Sequence, residues 1–365
     1  MEKIKLKTRA KIKLYRSISD LVEFLFRVKL LKDSESARKK ITDLVRNEEK
    51  SFVGGRERFE LKEIRVELIN RCNTDCIMCP RDSQKRKAGK MDVELYEKLI
   101  KEAYGLGARA LYPYHMGESL IIKDFCKYIK IAGDIGYTTI MLTTTGGLIK
   151  QYDPEELATC GLTIINFSID STNQESYKKI RTNMKLTEVE ESIKKIIEAK
   201  KKLNPSMEVS VKFMDYPGIN DGEWPVFENK WDGIADRIYH TTIHDWGERS
   251  DLKADPKLPP EEYCRFLRQK LIFGWDGTAM FCCMDYDNQL PIGKYPEQSL
   301  KEIMNSPVLF EARKMHRDAK LYEHQMCSQC YMTMDEAVRD YYKVKLKRSL
   351  LKFTDKIRGR SNDTV

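Results

Sequence analysis

The chain contains no apolar run approaching the roughly 20 residues that a bilayer-spanning helix needs. Its basic N-terminus lacks the compact apolar core and small-residue cleavage site of a secretory signal. Both absences predict a cytoplasmic protein, in which ten cysteines read as ligands or buried thiols rather than disulfides. Internal repeats and low-complexity tracts are missing too. Aromatic residues are not interleaved with the basic ones as in nucleic-acid grooves, which argues against a nucleic-acid partner.

What is present fits an enzyme-sized globular chain. The 365 residues suffice for two packed domains, or for one barrel of about 200–250 residues with additions. The net charge of +9 is uneven: residues 1–50 hold fifteen Lys/Arg against eight Asp/Glu, and another basic run spans 343–360. Solvated helix faces explain most of it; attraction to an anionic surface or a phosphorylated substrate is the sharper reading. Residues 10–31 form an amphipathic pattern through Leu14, Ile18, Leu21, Leu25 and Val28, and a second helix is predicted over 36–49. The first helix is expected to pack across the barrel, with membrane-surface contact a minority reading. Residues 51–55 are a linker signal.

From residue 64 the pattern alternates. Strand-like runs at 64–70, 110–116, 138–145, 163–170, 208–214 and 237–243 are separated by helical stretches, with Asp92 and Asp153 at N-cap positions. Six strand–helix repeats predict a parallel sheet with right-handed crossovers, either a partial barrel or a doubly wound open sheet. Either gathers ligands at the carboxyl ends of its strands.

The first strand end leads into Cys72, Cys76 and Cys79, spaced C-x3-C-x2-C. Three thiols complete neither a tetrahedral zinc site nor the four-thiolate shell of an ordinary iron–sulfur cluster. They suit a cubane with one iron left for a non-protein ligand. This spacing resembles the signature of the radical S-adenosylmethionine (SAM) superfamily, whose open iron takes the amino and carboxylate groups of SAM. The resemblance implies a partial (β/α)6 TIM-like barrel over 59–250, in an α/β chain. It also implies SAM contacts for Gly117 and Glu118 after the second strand, Thr143 and Thr145 after the third, and Ser168, Asp170 and Arg181 after the fourth. Arg181 is expected to pair with the SAM carboxylate, and Met78 to cover the adenine where many members carry an aromatic residue.

Downstream, an Asp276-Gly277 turn between apolar residues predicts a hairpin. Cys264, Cys282, Cys327 and Cys330 around it admit zinc or a second cluster. Their arrangement resembles the SPASM/Twitch subgroup. It implies a cysteine-rich Twitch domain over 251–335 with one auxiliary [4Fe–4S] cluster on those four residues, Cys283 being the rival for Cys282. Residues 1–58 and 336–365 are expected as basic helical extensions outside the resemblance.

The resemblance implies reductive SAM cleavage to a 5′-deoxyadenosyl radical, powered by a flavodoxin or ferredoxin-type reductant, and hydrogen-atom abstraction from a small molecule. Oxidation of a carbohydrate- or cyclitol-like alcohol is the favoured outcome, and the basic ends of the chain make an anionic one the sharper expectation. Alternatives are a sugar epimerase using Cys126, Cys160 or Cys283 as hydrogen donor, a peptide-modifying enzyme, and a non-catalytic zinc scaffold.

Overall fold

The computed structural model describes residues 61–243, 264, 266–317, 320 and 323–327. The expected helices over 10–31 and 36–49, the 51–55 linker, Cys330 and the C-terminal extension lie outside the described residues. By backbone contacts the chain forms two compact units, one of residues 58–256 and 265–314, the other of residues 1–57, 257–264 and 315–365.

The first unit is built by strand–helix alternation. β1 (Glu63–Val66) is followed by α1 (Val93–Gly105), β2 (Ala110–Tyr112), α2 (Phe125–Ile135), β3 (Thr139–Thr144), α3 (Pro154–Thr159) and β4 (Ile164–Ser168). Two helices, α4 (Gln174–Ile180) and α5 (Leu186–Leu203), precede β5 (Glu208–Asp215), then α6 (Trp224–Trp231) and β6 (Arg237–Thr242). Asp92 caps α1 by accepting from Glu94 N and Leu95 N, and Asp153 caps α3 by accepting from Glu155 N. α2 ends where Gly136 takes the left-handed conformation, at φ 109°.

Neighbouring strands from β1 to β6 pair in parallel, in chain order. This is the sheet of an open, partial barrel with helices on one face. Ile64, Leu111, Ile140, Leu142, Ile165, Phe167, Val209, Val211 and Phe213 are wholly buried on that helix-facing side. Register partners share a face. Arg65 therefore lies beside Tyr112, Thr143 beside Asn166 and Ser210, and Ser168 beside Lys212 and Tyr239, all on the concave side.

After the short α7 (Phe266–Gln269), β7 (Lys270–Phe273) pairs with β1 in parallel, extending the barrel sheet. The predicted hairpin follows, with β8 (Thr278–Met280) antiparallel to β7 and Gly277 at φ 82° in its turn. β9 (Pro291–Lys294), α8 (Leu300–Met304) and α9 (Pro307–Arg317) complete the described elements. Ser299 and Glu302 close α8 with a reciprocal capping box. The sequence pattern did not reveal that β7 continues the sheet from β1, because strand order is set by pairing and not by periodicity. It also overestimated the first strand: polar Glu67 and Asn70 carry the chain out of the sheet after Val66. No helix of the described residues is long and apolar enough to cross a membrane.

α6 seals the sheet through an aromatic cluster. Phe227 is wholly buried, with ring centroids 5.0 Å from Phe213 and 6.4 Å from Trp231. Phe227→Ala should destabilise the fold by about 3–5 kcal/mol, measured by chemical denaturation. A loss below about 1 kcal/mol would contradict this packing.

Candidate active site

The cysteine loop starts where β1 leaves the sheet. Glu67, wholly buried, accepts from both terminal nitrogens of Arg86 at 2.7 and 2.8 Å. Asn70 accepts from Gly89 N at 2.8 Å and donates to Lys87 O at 2.9 Å. Polar contacts thus fix the exit. Within the loop, Cys79 N donates to Cys76 O at 2.9 Å.

The loop is then fastened to the segment after α4. Ile77 N donates to Ile180 O at 3.1 Å, and Thr74 Oγ1 to Thr182 O at 2.7 Å. Thr182 Oγ1 accepts from Asp75 N at 3.2 Å and donates to Asp75 O at 3.1 Å. Between them Cys76 and Arg181 form an antiparallel bridge. The Arg181 guanidinium, 4% exposed, donates to Cys76 Sγ at 3.0 Å and forms an ion pair with wholly buried Asp170. Asp170 adopts the left-handed conformation at φ 66°, which Asp tolerates better than most residues. Asn220 Nδ2 holds its carbonyl at 2.8 Å. The sequence expectation gave Arg181 a ligand carboxylate. The structure gives it a protein carboxylate and a thiol sulfur.

Burial pushes the thiol of Cys72 up to about 12 and that of Cys79 up to about 11, so both favour the protonated form unless a cation joins them. None of the three sulfurs is in a disulfide. Among the described residues, no three His, Cys, Asp or Glu side chains converge as ligands of one metal ion do. Three thiols on one loop match the ligand number of a cluster that keeps one iron for a non-protein ligand.

Gly117 lies directly against the loop. A Cβ there would stand 2.1 Å from Ile69 O and 2.7 Å from Arg71 O, and Glu118 N donates to Arg71 O at 2.9 Å. The buried Glu118 carboxylate accepts from Thr144 Oγ1 at 2.8 Å, Thr145 N at 3.0 Å, Thr145 Oγ1 at 3.1 Å and Leu120 N at 3.2 Å. Burial raises its proton affinity and these donors oppose the shift. Glu118 therefore ties the second strand end to the third, where the sequence expectation had it reach a ligand. Thr144, which that reading passed over, is part of the clamp; its burial opposite Thr143 follows from strand alternation. Met78 packs against Ile180, Met214 and Tyr216 in an apolar cluster. Ser168, at the end of β4, is buried beside Lys212.

The concave face is polar and cationic. Arg65 lies over the rings of Tyr114 and Tyr112, 5.1 and 5.7 Å from their centroids, with no carboxylate in ion-pair range among the described residues and its Nε unpartnered. Lys270 Nζ stands 3.7 Å from Glu63 and 5.3 Å from the Tyr112 ring. Burial, with Arg65, Arg86 and Lys270 nearby, holds His115 well below the usual imidazole range, so it is neutral near pH 7. Among the described residues its buried Nε2 has no hydrogen-bond partner. Sequence periodicity missed Arg65 and Lys212 because charged residues inside strands interrupt the apolar signal. His244, Asp245 and Trp246, which follow β6 in the sequence, lie outside the described residues.

The downstream cysteines divide between the units. Cys282 is half-buried beyond β8, its sulfur accepting from Met284 N at 3.4 Å. Cys283 lies within electrostatic reach of Arg65. In the other unit Cys264 is half-buried, and Cys327 is buried in a turn where its N–H donates to His324 O at 3.0 Å. Cys126 and Cys160, both free thiols, share a hydrogen bond between α2 and the cap of α3, in the helical layer. Neither is on the concave face as a hydrogen donor would need to be.

Comparison with known proteins agrees with this geometry. Residues 66–228 match the radical SAM superfamily, and residues 264–331 match SPASM, an iron–sulfur cluster-binding domain. A probable GTP 3′,8-cyclase of Methanothermobacter thermautotrophicus is 31% identical over 166 residues, 45% of this chain and 52% of that protein. The chain spans about half the length of the first curated relatives it matches. SuiB of Streptococcus suis bound to precursor peptide SuiA aligns with TM-score 0.57 at 12% identity, over 75% of this chain and 72% of that one. anSMEcpe with bound AdoMet aligns with TM-score 0.54 at 13% identity, over 84% and 96%. At such identities these structures show the fold alone.

Gly117→Ala should displace the cysteine loop, since backbone carbonyls cannot swing aside as side chains do, and should lower both the melting temperature and bound iron. Thr182→Val, which removes two hydrogen bonds, should cost about 1 kcal/mol. Calorimetry and iron assay check both; a Gly117→Ala protein with wild-type melting and iron would refute the close approach.

Proposed function

Because the chain belongs to the radical SAM superfamily and carries a SPASM-type cluster domain, we propose that it is an enzyme oxidising a hydroxyl-bearing, anionic small molecule of carbohydrate or cyclitol type. The observation that carries the substrate reading is the concave face, where among the described residues Arg65 has no carboxylate partner and the buried Nε2 of neutral His115 has no hydrogen-bond partner.

The cofactors of this family and its cluster domain are SAM, a [4Fe–4S] cluster and an auxiliary iron–sulfur cluster. In our reading Cys72, Cys76 and Cys79 hold the first, and Cys264, Cys282, Cys327 and Cys330 the second. Residues 59–250 form the catalytic barrel and 251–335 the auxiliary domain. When bound, these groups supply reductive SAM cleavage, hydrogen-atom abstraction and a one-electron acceptor, with a flavodoxin or ferredoxin-type protein as external reductant.

The chain's own residues bind and orient. Arg65 takes the substrate's anionic group, its planar donor set suiting phosphate or carboxylate. His115 Nε2 hydrogen-bonds a substrate hydroxyl, and Asn166 and Ser210, joined at 3.1 Å, extend the polar lining. Tyr112 and Tyr114 wall the Arg65 side against water. Gly117, Thr143, Thr145, Ser168 and Asp170 border the cysteine loop and would meet SAM, with Glu118 holding their strand ends in register.

The first-matched relatives are GTP 3′,8-cyclases, which makes a nucleotide triphosphate one probe of the anionic reading. The test incubates the anaerobically reconstituted chain with SAM, reductant and panels of phosphosugars, nucleotide sugars or GTP in D2O. Oxidation predicts a product two hydrogens lighter that carries no solvent deuterium, and Arg65→Ala should weaken substrate binding by at least about tenfold. Solvent deuterium fixed in a product of unchanged formula, or an isomer formed from GTP, would overturn it.

A further inference from the structure

Two thiols that the concave face does not use lie together in the helical layer. Cys126 is in the first turn of α2, and Cys160 caps the end of α3. Both are free, Cys126 buried and Cys160 half-buried, and the Cys126 thiol is hydrogen-bonded to the Cys160 sulfur. Two further contacts hold the same segments together. The Tyr152 hydroxyl, just before α3, donates toward Leu120 O at 3.1 Å and toward Ile122 O, both ahead of α2. Next to Cys160, a Cβ on Gly161 would stand 3.5 Å from the carbonyl oxygen of Ile129, one turn along α2 from Cys126. The two thiols meet because the backbone is fixed on either side of them. Glu156 of α3 also bonds Cys126, but among the described residues no three such groups converge as ligands of one metal ion do. The pair offers thiol chemistry.

We infer that Cys126 and Cys160 are an oxidation site, which closes to a disulfide when a peroxide reaches the half-buried Cys160. The hydrogen bond from Cys126 lowers the proton affinity of Cys160 and raises that of Cys126, and burial raises Cys126 further. Cys160 is therefore the attacking thiolate and Cys126 the resolving thiol. The Cys160 sulfur attacks one oxygen of hydrogen peroxide: an S–O bond forms, the O–O bond breaks, and the other oxygen leaves as water with the Cys160 proton. The Cys126 sulfur then attacks the sulfenic sulfur: the S–S bond forms, the S–O bond breaks, and the second oxygen leaves as water with the Cys126 proton. Two electrons pass from the thiols to one peroxide, and a thiol reductant reverses the bond. This site stands apart from the function proposed above, since neither thiol lies on the concave face.

The test treats the anaerobically purified full chain with a slight excess of hydrogen peroxide, blocks remaining thiols with N-ethylmaleimide, and maps an unreduced digest by mass spectrometry. A peptide pair joined through Cys126 and Cys160, two hydrogens lighter than its separate parts and released by dithiothreitol, is expected. Cys126→Ser should leave Cys160 as a sulfenic acid that dimedone traps, while Cys160→Ser should leave Cys126 open to N-ethylmaleimide after the same treatment. Without peroxide, iodoacetamide should label Cys160 at least about tenfold faster than Cys126. Wild-type chain in which both thiols stay open to N-ethylmaleimide after peroxide, or in which either pairs with another cysteine instead, would overturn the site. Faster labelling of Cys126, or dimedone trapping on Cys126 in Cys160→Ser, would overturn the assigned roles.

Discussion

The cysteine loop is held by a segment more than one hundred positions further along the chain. Its side of the site depends on that contact. A loop of three half-buried thiols has little apolar area with which to order itself. Order comes instead from the hydrogen bonds of Thr74, Asp75 and Ile77 to Ile180 and Thr182, and from the Arg181 guanidinium laid across Cys76 and Asp170. Removing Asp170 would leave Arg181 buried without its carboxylate, and such broken pairs cost more than the intact pair contributes.

The parallel sheet makes this contact possible. β1 and β4 end on the same edge, so a loop leaving β1 can meet a segment reached from β4 through one helix. The neighbouring strand end is fixed in the same way, with Glu118 gathering donors from Thr144, Thr145 and Leu120. Both devices fix a strand end through a buried charged group, Arg181 by donating to Cys76 and Asp170, Glu118 by accepting from its neighbours. They give a rigid rim around the concave face, where among the described residues Arg65 has no carboxylate in ion-pair range. Rigid rim and open polar floor are what a site needs when it must orient a reactive intermediate and a polar substrate.

Much of the barrel was legible in the sequence because its convex face follows simple rules. Apolar periodicity located the strands and helices, and Asp92 and Asp153 marked helix starts that the structure confirms. The Asp276-Gly277 turn gave the β7–β8 hairpin. The concave face was less legible. Arg65 and Lys212 sit within strands, where alternation predicts only which side a residue faces and nothing of what it meets there. The role of Glu118 as an internal clamp was hidden too, since its donors come from another strand end. The join between β7 and β1 is a long-range pairing, to which local pattern is blind.

The central claim is that Cys72, Cys76 and Cys79 hold a cluster that binds SAM. The most direct measurement is electron paramagnetic resonance of the anaerobically reconstituted, reduced chain before and after SAM is added, alongside iron and sulfide assay. About eight irons per chain are predicted for two cubanes, with a reduced-cluster signal that changes on adding SAM and is lost from Cys76→Ala. Bound zinc without sulfide, or a cluster signal indifferent to SAM, would contradict it.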